Sequence, residues 1–469
     1  MCFSIIRYKL TFFFNLGGVN ASRINPVGNA NNEEDKDESS VGPARIYCVE
    51  CGTGISNEEG FLDHLFTWRA AAVQNKIKDQ FLSRATLQQA LDYSSEDKRI
   101  WFRENLSKLR ISYFQDNITL VLSRDNVLDE TLNQFSTVDS LSLHKDIKIF
   151  FIDEEARDAG GVIREWLSLV TEKLLLPEAK NFEMVQNEGD IFYTIHPEAS
   201  FEMLHFAGQI FGKAVFEGIP IDCLLSKLLV MKILGLDPTL ADLKYYDANL
   251  YNSLSYLNNE DVNIEDLYMT YSITDNGVNV DLIENGSNVP ITKENKDEYI
   301  NSIVEYYSYK RAETPMVAFL TSFLAVVPHE LCSVFDIEQF ESVLFGQKEI
   351  DIEDWKSNSY YKGKYSETHP TIVWFWDILK DLNNQEKRKF LQFCTGSRSL
   401  PVEGFKGLKG QKKQLCKFSI ESVSLKKCKF LRAHTCFNSL ELPLFESKND
   451  LNEGIQFVLD QEEFHFGLE

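Results

Sequence analysis

The segment "HTCFN", residues 434–438, sets a cysteine among polar neighbours. A packed thiol usually has apolar neighbours on both sides, whereas Cys436 has a histidine two positions before it and an asparagine two positions after it. The thiolate form of cysteine is a nucleophile, and a free thiol with a pKa of about 8.5 is only slightly ionised at neutral pH. Such a thiol still exchanges readily with a thioester, because one thiol replaces another at little cost in free energy. The step needs access and a partner that carries an activated acyl group.

The polar neighbours of Cys436 each have two alternative roles. The ring of His434 either orders the loop through a hydrogen bond or acts on the chemistry, by lowering the pKa of the thiol or by accepting a proton from an incoming amine. Asn438 either caps the loop or takes part in catalysis. The same pattern also fits an ordinary half-buried thiol.

The elements on either side of this segment are predicted to be short and packed. Phe418, Ile420 and Ser422 alternate as in a strand, and "NSLELP" (438–443) is a second short apolar segment that Pro443 closes. Cys436 is therefore predicted to lie on a loop held by two packed elements, where reactive side chains are common.

Upstream of this region the pattern is mostly helical. Apolar residues at three- and four-residue steps predict helices within 61–110, with Trp101, Leu106 and Leu109 on an inner face, and over 203–216 and 224–236. Short buried strands are predicted at 118–123 and 147–152. In "DAGGVIREW" (158–166), two glycines allow a tight turn before a helix that Pro177 stops.

The chain is acidic, with one basic stretch. Lys and Arg number 48 and Asp and Glu number 71 among 469 residues, which gives a net charge of −23. This balance argues against a nucleic-acid partner, because phosphate contacts need clustered Lys and Arg, and it permits basic protein partners. Residues 402–432 carry nine Lys or Arg against Glu403 and Glu421. That stretch is either a solvated loop or a docking surface for an acidic patch.

The cysteines indicate the compartment. All nine are irregularly spaced, and a chain of this length needs no disulfide, so we expect mostly buried thiols in a reducing compartment, the cytoplasm or also the nucleus. No apolar run reaches the roughly 20 residues of a transmembrane helix. Residues 219–236 come closest, and Asp222, Lys227 and Lys232 interrupt them.

The first hundred residues predict little chemistry. Residues 1–45 combine an apolar start with the acidic run "NANNEEDKDESS", which is predicted to be a disordered linker. Residues 46–96 are predicted to be a helical extension. Its Cys48 and Cys51 form half of a zinc site, and His64 lies at a plausible distance, but a fourth ligand is missing, so no metal is predicted.

Seven motifs in order carry a resemblance to the HECT family of ubiquitin ligases. They are "RDNVLDETL" (124–132), "DAGGVIREW" (158–166), "FGKAVFEGIPIDCLL" (211–225), "VPITKENKDEY" (289–299), "IVWFWDIL" (372–379), "FLQFCTGSRSLPVEGF" (390–405) and "RAHTCFNSLELP" (432–443). The resemblance implies an α+β, bilobal fold: a mostly helical N-lobe over 97–347, a hinge at Lys348, Glu349 and Ile350, and a smaller α/β C-lobe over 351–469. An ordinary surface turn is the alternative for the hinge.

The resemblance also implies a reaction and its partners. Cys436 would accept ubiquitin from a ubiquitin-conjugating enzyme as a thioester and pass it to a lysine of a protein substrate, with no cofactor. His434, Thr435 and Asn438 would belong to the catalytic loop. Phe466 would help to place the C-lobe for transfer to lysine, unless it lies in a frayed tail, and Glu469 is a candidate carboxylate for the amine.

The conjugating-enzyme surface is implied for "NLYNSLSYLNNEDVNIEDL" (249–267). The residues concerned are Leu250, Leu254, Leu257, Leu267 and Tyr299. Periodicity cannot separate this contact surface from an ordinary core. Three departures from the family pattern, Asp153, Ala156 and Leu431, replace common glycines and a proline, and none of them removes a residue that the chemistry needs. The alternative function is a catalytically idle module that still binds conjugating enzyme or ubiquitin.

Overall fold

The structure, a computed structural model, divides the chain into two compact units, Met1–Asp79 and Gln80–Glu469. It describes residues 46–47, 54–55, 84–111, 117–138, 142–152, 161–187, 190–259, 262–347, 349–410, 414–426 and 430–461. In the first unit, the described residues are two short antiparallel strands, β1 (Ile46–Tyr47) and β2 (Gly54–Ile55). The predicted acidic linker, Cys48, Cys51 and His64 lie outside the described residues.

The second unit is mostly helical. Its described helices are Arg84–Leu91 (α1), Ser95–Leu109 (α2), Val127–Phe135 (α3), Gly161–Leu174 (α4), Phe201–Glu217 (α5), Lys227–Ile233 (α6), Ala248–Leu257 (α7), Lys296–Ser308 (α8), Glu313–Val326 (α9), His329–Cys332 (α10), Ile337–Phe345 (α11), Ile352–Ser357 (α12), Pro370–Asp381 (α13), Asn384–Thr395 (α14) and Lys448–Leu459 (α15).

The strands form small sheets. They are Asn117–Leu122 (β3), Asp146–Phe151 (β4), Phe182–Asn187 (β5), Asp190–Ile195 (β6), Ser272–Asp275 (β7), Val278–Asp281 (β8), Ser359–Lys362 (β9), Phe418–Val423 (β10), Arg432–His434 (β11) and Ser439–Pro443 (β12). β3 and β4 pair in parallel, whereas β5 with β6 and β7 with β8 form antiparallel hairpins. The last four strands make one sheet in the order β11-β12-β10-β9.

Most predicted elements are confirmed, with shifted ends. β3 and β4 each begin one residue before the predicted strands, and α5 contains the predicted helix over 203–216. α6 is shorter than predicted, because the Ser226 hydroxyl accepts a hydrogen bond from the Leu229 amide and so caps the helix after the predicted start. Trp101, Leu106 and Leu109 are buried on α2 as expected.

Helices α5 and α9 approach each other closely through glycines. A Cβ atom added at Gly208 would overlap the Phe319 carbonyl and the Ser322 hydroxyl, and one added at Gly212 would lie 3.1 Å from the Phe323 carbonyl oxygen. Only glycine permits two helices to pack at this separation. α5 is buried over most of its length, so this pair forms a rigid support for the elements around it.

The C-terminal part of the second unit has a separate apolar cluster. Its buried members all fall between Ile350 and Leu459. Trp355 lies at its centre, stacked on Phe405 with ring centroids 4.6 Å apart. β10 runs through the cluster as an inner strand, parallel to both β9 and β12, and its first three residues are buried. This sheet is the scaffold for the segment around Cys436.

No helix among the described residues is long and apolar enough to cross a membrane. Over the same residues, no group of three or more His, Cys, Asp or Glu side chains is arranged to hold a metal ion.

Candidate active site around Cys436

Cys436 lies in the connection between two strands. β11 and β12 pair antiparallel, with His434 opposite Ser439, and a single 3-10 turn, Thr435–Phe437, joins them. The described part of Cys436 is its main chain, at the centre of that turn. β10 lies beside β12, so both elements that the sequence predicts around the cysteine are strands of this sheet. The cysteine is thus carried on a short turn fixed at both ends by ladder hydrogen bonds.

Asn438 closes the turn. Its φ of 47° and ψ of 48° are left-handed, a conformation in which asparagine is well tolerated. Its side chain is fully buried, and Nδ2 donates hydrogen bonds to the carbonyl oxygens of Lys409 at 3.1 Å and Cys416 at 3.0 Å. The Ser419 amide donates to the Asn438 carbonyl at 3.0 Å. These contacts favour the loop-ordering role over the catalytic one.

His434 pairs with a carboxylate on the neighbouring strand. Its Nε2 lies 3.1 Å from Oε1 of Glu441, and both side chains are partly exposed. The contact crosses the β11–β12 pair, so it orders the imidazole ring beside the turn. The contact fits the alternative in which a hydrogen bond of the His434 ring orders the loop, and it places a His–Glu pair next to the cysteine segment.

Arg164 is the residue that sequence reasoning missed. It lies on α4, in the "DAGGVIREW" motif, and is half-buried. Its guanidinium donates to the carbonyl oxygens of Thr395 (3.1 Å), Lys409 (2.6 Å) and Thr435 (2.9 Å), and to Oδ1 of Asn438 at 3.4 Å. The sequence signal was a cation within an otherwise apolar helical stretch, but its partners follow more than 200 residues later.

A second thiol lies beside the turn. The Cys416 thiol donates to the carbonyl oxygen of Phe437, with Sγ 3.2 Å away. Burial raises the pKa of this thiol, while the positive charges of Arg164 and Lys362 oppose the shift. Cys416 is therefore a protonated hydrogen-bond donor at neutral pH. Cys223, Cys332 and Cys394 are buried, which confirms the expectation of mostly buried thiols for these three.

The predicted hinge falls between α11 and α12. Glu349 is exposed, whereas Ile350 is buried in the C-terminal cluster and its amide donates to Oδ1 of Asn384 at 3.0 Å. Lys348 lies outside the described residues. Sequence reasoning missed Gly346, which has a positive φ of 69° and lies against the Leu400 carbonyl. Ile350 is thus anchored to the C-terminal cluster, so a role for it in absorbing rotation is not supported.

The predicted conjugating-enzyme surface stays a prediction. Leu254, Leu257 and Tyr299 are 3 to 4% exposed and belong to one apolar cluster, which fits the core alternative for these three residues. Leu250 packs partly buried against that cluster, and Leu267 is 42% exposed. Periodicity identified the inner face of α7, because apolar residues repeat most regularly where a helix packs.

The outer face of the same region carries aromatic side chains that sequence reasoning did not select. Tyr256 is 58% and Tyr268 is 89% exposed, and Tyr268 has a left-handed φ of 49° that turns the chain after Leu267. Phe466 and Glu469 lie outside the described residues.

The exposed cations of the basic stretch precede the Cys436 turn in the sequence. Lys406, Lys417, Lys426 and Arg432 are exposed, and Lys409 is half-buried with its carbonyl bound by Arg164 and Asn438. The choice between a solvated loop and a docking surface stays a prediction.

Comparison with known proteins identifies the family. The profile of the family described as HECT-domain (ubiquitin-transferase) matches residues 168–469. This match spans more than half of the chain and includes the Cys436 turn, α7 and the segment between α11 and α12. The chain therefore belongs to the HECT-domain family.

Several curated relatives cover most of this chain. The E3 ubiquitin-protein ligase TOM1-like of Neurospora crassa is 33% identical over 361 residues, 75% of this chain and 9% of the relative. The E3 ubiquitin-protein ligases pub1 and pub3 of Schizosaccharomyces pombe are 34% and 32% identical, over 74% and 84% of this chain and 46% and 51% of the relatives. The chain thus spans from about a tenth to about half of the length of these proteins.

Proposed function

We propose that this protein is a ubiquitin-protein ligase that works through a thioester on Cys436. The thiolate of Cys436 attacks the carbonyl carbon of a thioester between ubiquitin and a ubiquitin-conjugating enzyme, a new thioester forms, and the thiol of the conjugating enzyme leaves. A lysine amine of a protein substrate then attacks the new thioester, an amide bond forms, the amine loses a proton, and the thiol of Cys436 is regenerated. No cofactor takes part in either step.

The observation that carries this proposal is the placement of Cys436. Its main chain lies at the centre of a three-residue turn between paired strands, within the segment matched by the HECT-domain profile. A strand-bounded turn is a rigid support for a reactive residue, which suits exchange between thiols on two proteins. The relatives whose names state ligase activity support the same reaction.

The lobe organisation belongs to this proposal. We assign residues 97–347 to an N-lobe, 348–350 to the linker and 351–469 to a C-lobe that carries the cysteine. The apolar cluster confined to residues 350–459 supports a C-lobe with a core of its own. Rotation would then centre on Glu349 in the linker and on Gly346, two residues before the linker, because Ile350 is fixed in that cluster.

The partner surface is proposed on the exposed side of the α7 region. Leu267, Tyr256 and Tyr268 are exposed apolar or aromatic side chains there, and Leu250 is partly buried beside them. Exposed aromatic residues are the usual anchors of protein interfaces. Leu254, Leu257 and Tyr299 support this surface from within the core. We place the reaction in a reducing compartment, the cytoplasm or also the nucleus, because charging needs a reduced thiol.

The test is a charging reaction on non-reducing gels. Purified protein is mixed with ubiquitin, activating enzyme, ATP and a panel of conjugating enzymes. We expect a ubiquitin adduct that thiol reductant removes and that Cys436→Ala abolishes. Cys416→Ser is the matched control, because its hydroxyl can still donate to the Phe437 carbonyl, and it should keep the adduct. Binding of a conjugating enzyme without any adduct would contradict the proposal and favour the idle binding module.

A further inference from the structure

We propose that Arg164 is the positioning residue for discharge of the thioester to lysine. The inference rests on the proposed function, since it concerns a step of that reaction. Arg164 binds the main chain on one side of Cys436 and a side chain on the other, through Thr435 and Asn438. One guanidinium thereby fixes the backbone that carries the thiol.

The contacts of Arg164 bring three separate segments together. Its carbonyl partners are Thr395 at the end of α14, Lys409 after the 3-10 turn Gly404–Gly407, and Thr435 in the cysteine turn. A guanidinium has five N–H donors in a fixed plane, and these contacts use Nε and both terminal nitrogens. Lysine has a single nitrogen and cannot reproduce the arrangement.

Asn438 couples this cluster to the turn. Its Nδ2 donates to the Lys409 carbonyl, the same group that accepts from Nη1 of Arg164, and its Oδ1 accepts from Nη2 of Arg164. The arginine, the asparagine and the two carbonyls of Lys409 and Thr435 therefore form one closed hydrogen-bond network. A shift of the Cys436 backbone would break several of these bonds together.

The helix that carries Arg164 is itself held firmly. The next residue, Glu165, is buried and pairs with Arg124 at 2.5 Å. Trp166 is fully buried, and its indole nitrogen donates to the Thr131 hydroxyl at 3.1 Å. The backbone from which the Arg164 side chain extends is therefore held in place, as a positioning residue requires.

The two chemical steps differ in their need for this fixed turn. Charging exchanges one thiol for another, and the cysteine segment must reach a thioester held by another protein. Both steps are attacks on a thioester carbonyl. In charging, the geometry is set in the complex with the conjugating enzyme, whereas in discharge the turn itself holds the thioester that the amine approaches, where a misplacement of about 1 Å can cost about 100-fold in rate. Since the structure has the turn bound to α4, we assign this docked arrangement to discharge.

A single-turnover experiment on the full chain separates the steps. Conjugating enzyme charged with labelled ubiquitin is added to the protein and the charging rate is measured; free lysine is then added as the amine and the loss of the adduct is followed. We expect Arg164→Ala to slow discharge by about 10- to 100-fold. Charging should stay within about threefold of the wild-type rate. The discharge rate of Arg164→Lys should fall between those of the wild type and Arg164→Ala.

Chemical rescue distinguishes positioning from a general structural role. Guanidinium ion at a sub-denaturing concentration should accelerate discharge by Arg164→Ala and leave the wild type and Arg164→Lys unchanged. Lys448→Ala is the control: it removes an exposed cation that pairs with Asp377, and both residues lie within 351–469. Its charging and discharge should both match the wild type.

Three results would overturn the inference. Wild-type discharge by Arg164→Ala would show that the turn needs no guanidinium. Equal slowing of both steps in Arg164→Ala and Arg164→Lys, with a lowered melting temperature and no rescue, would show a structural role only. Absence of any adduct on the wild type would instead remove the proposed function, and with it this inference, so the two failures remain distinguishable.

Discussion

At the scale of single residues, the site depends on side chains that bind main-chain carbonyls. Arg164 and Asn438 together bind the carbonyls of Thr395, Lys409, Cys416 and Thr435. An irregular segment cannot satisfy its own backbone groups as a helix or sheet does, so buried side chains must supply the donors. The reactive turn is rigid for this reason, although Thr435–Phe437 is a single turn.

Replacing Asn438 tests this account. Asn438→Ala removes the side-chain donor to the Cys416 carbonyl and one of the two donors to the Lys409 carbonyl, and it puts a left-handed φ on alanine, so we expect the free energy of unfolding to fall by about 2 to 4 kcal/mol. Urea unfolding followed by circular dichroism measures the change. The matched control is Asn276→Ala, at an exposed position with a φ of 48° and no side-chain hydrogen bond in the described part of the chain. It should lose only about 1 kcal/mol; equal losses would contradict the account.

At the scale of elements, the local sequence pattern predicted the helices and strands that have one regularly buried face. Apolar residues with a regular period mark the buried face of such elements, and they allowed the sequence to predict β3, β4, α5 and β10. The role of Arg164 was not readable, because its partners lie 231 to 274 residues away in sequence. The partner surface could not be separated from the core for a related reason: periodicity reports which face of a helix is apolar, and not what covers that face.

The close contact between α5 and α9 is a second test. Gly208→Ala would place a methyl group against the Phe319 carbonyl and Ser322, and the helices would have to separate. We expect a loss of about 1 to 3 kcal/mol in the free energy of unfolding. Gly454→Ala on α15 is the control, because its nearest neighbours are the movable ends of Leu431 and Phe445. That variant should be unchanged or slightly more stable, since alanine favours helix; a similar loss in both would argue against the close contact.

At the scale of the whole molecule, a polar junction joins elements of the second unit that lie far apart in sequence. Arg311, which precedes α9, pairs with Glu183 on β5 and with Asp275 on β7, at 2.7 Å for the latter. The Tyr306 hydroxyl on α8 donates to the same Asp275 carboxylate at 2.9 Å. This junction ties both hairpins to the helices that precede and follow Arg311, and it therefore orients the proposed partner surface.

The junction predicts loss of stability at alkaline pH. Burial, helped by Asp275, raises the pKa of Tyr306 to about 12 from an ordinary value of 10.0. Below pH 10 the hydroxyl is protonated in both states and its contribution is complete. Between about pH 10 and 12 the unfolded chain releases this proton while the folded chain keeps it, so the free energy of unfolding falls.

Unfolding by urea across that pH range measures the effect. Tyr306→Phe should fall less steeply than the wild type between pH 10 and 12, because it lacks this proton. Tyr360→Phe, at an exposed position on β9, should follow the wild-type slope. Identical slopes for all three proteins would contradict the assignment to Tyr306.

The strand order of the last sheet also determines the order in which its strands can pair during synthesis. β10 lies between β9, which is synthesised before it, and β12, which is synthesised after the cysteine. On a ribosome, the helices that precede β9 emerge first, and β10 has an open edge until residues 439–443 appear. Arg164 is synthesised 271 residues before its partner Thr435, so its guanidinium lacks this contact for most of synthesis. The helical pair of α5 and α9 is therefore synthesised well before the strands that hold the Cys436 turn.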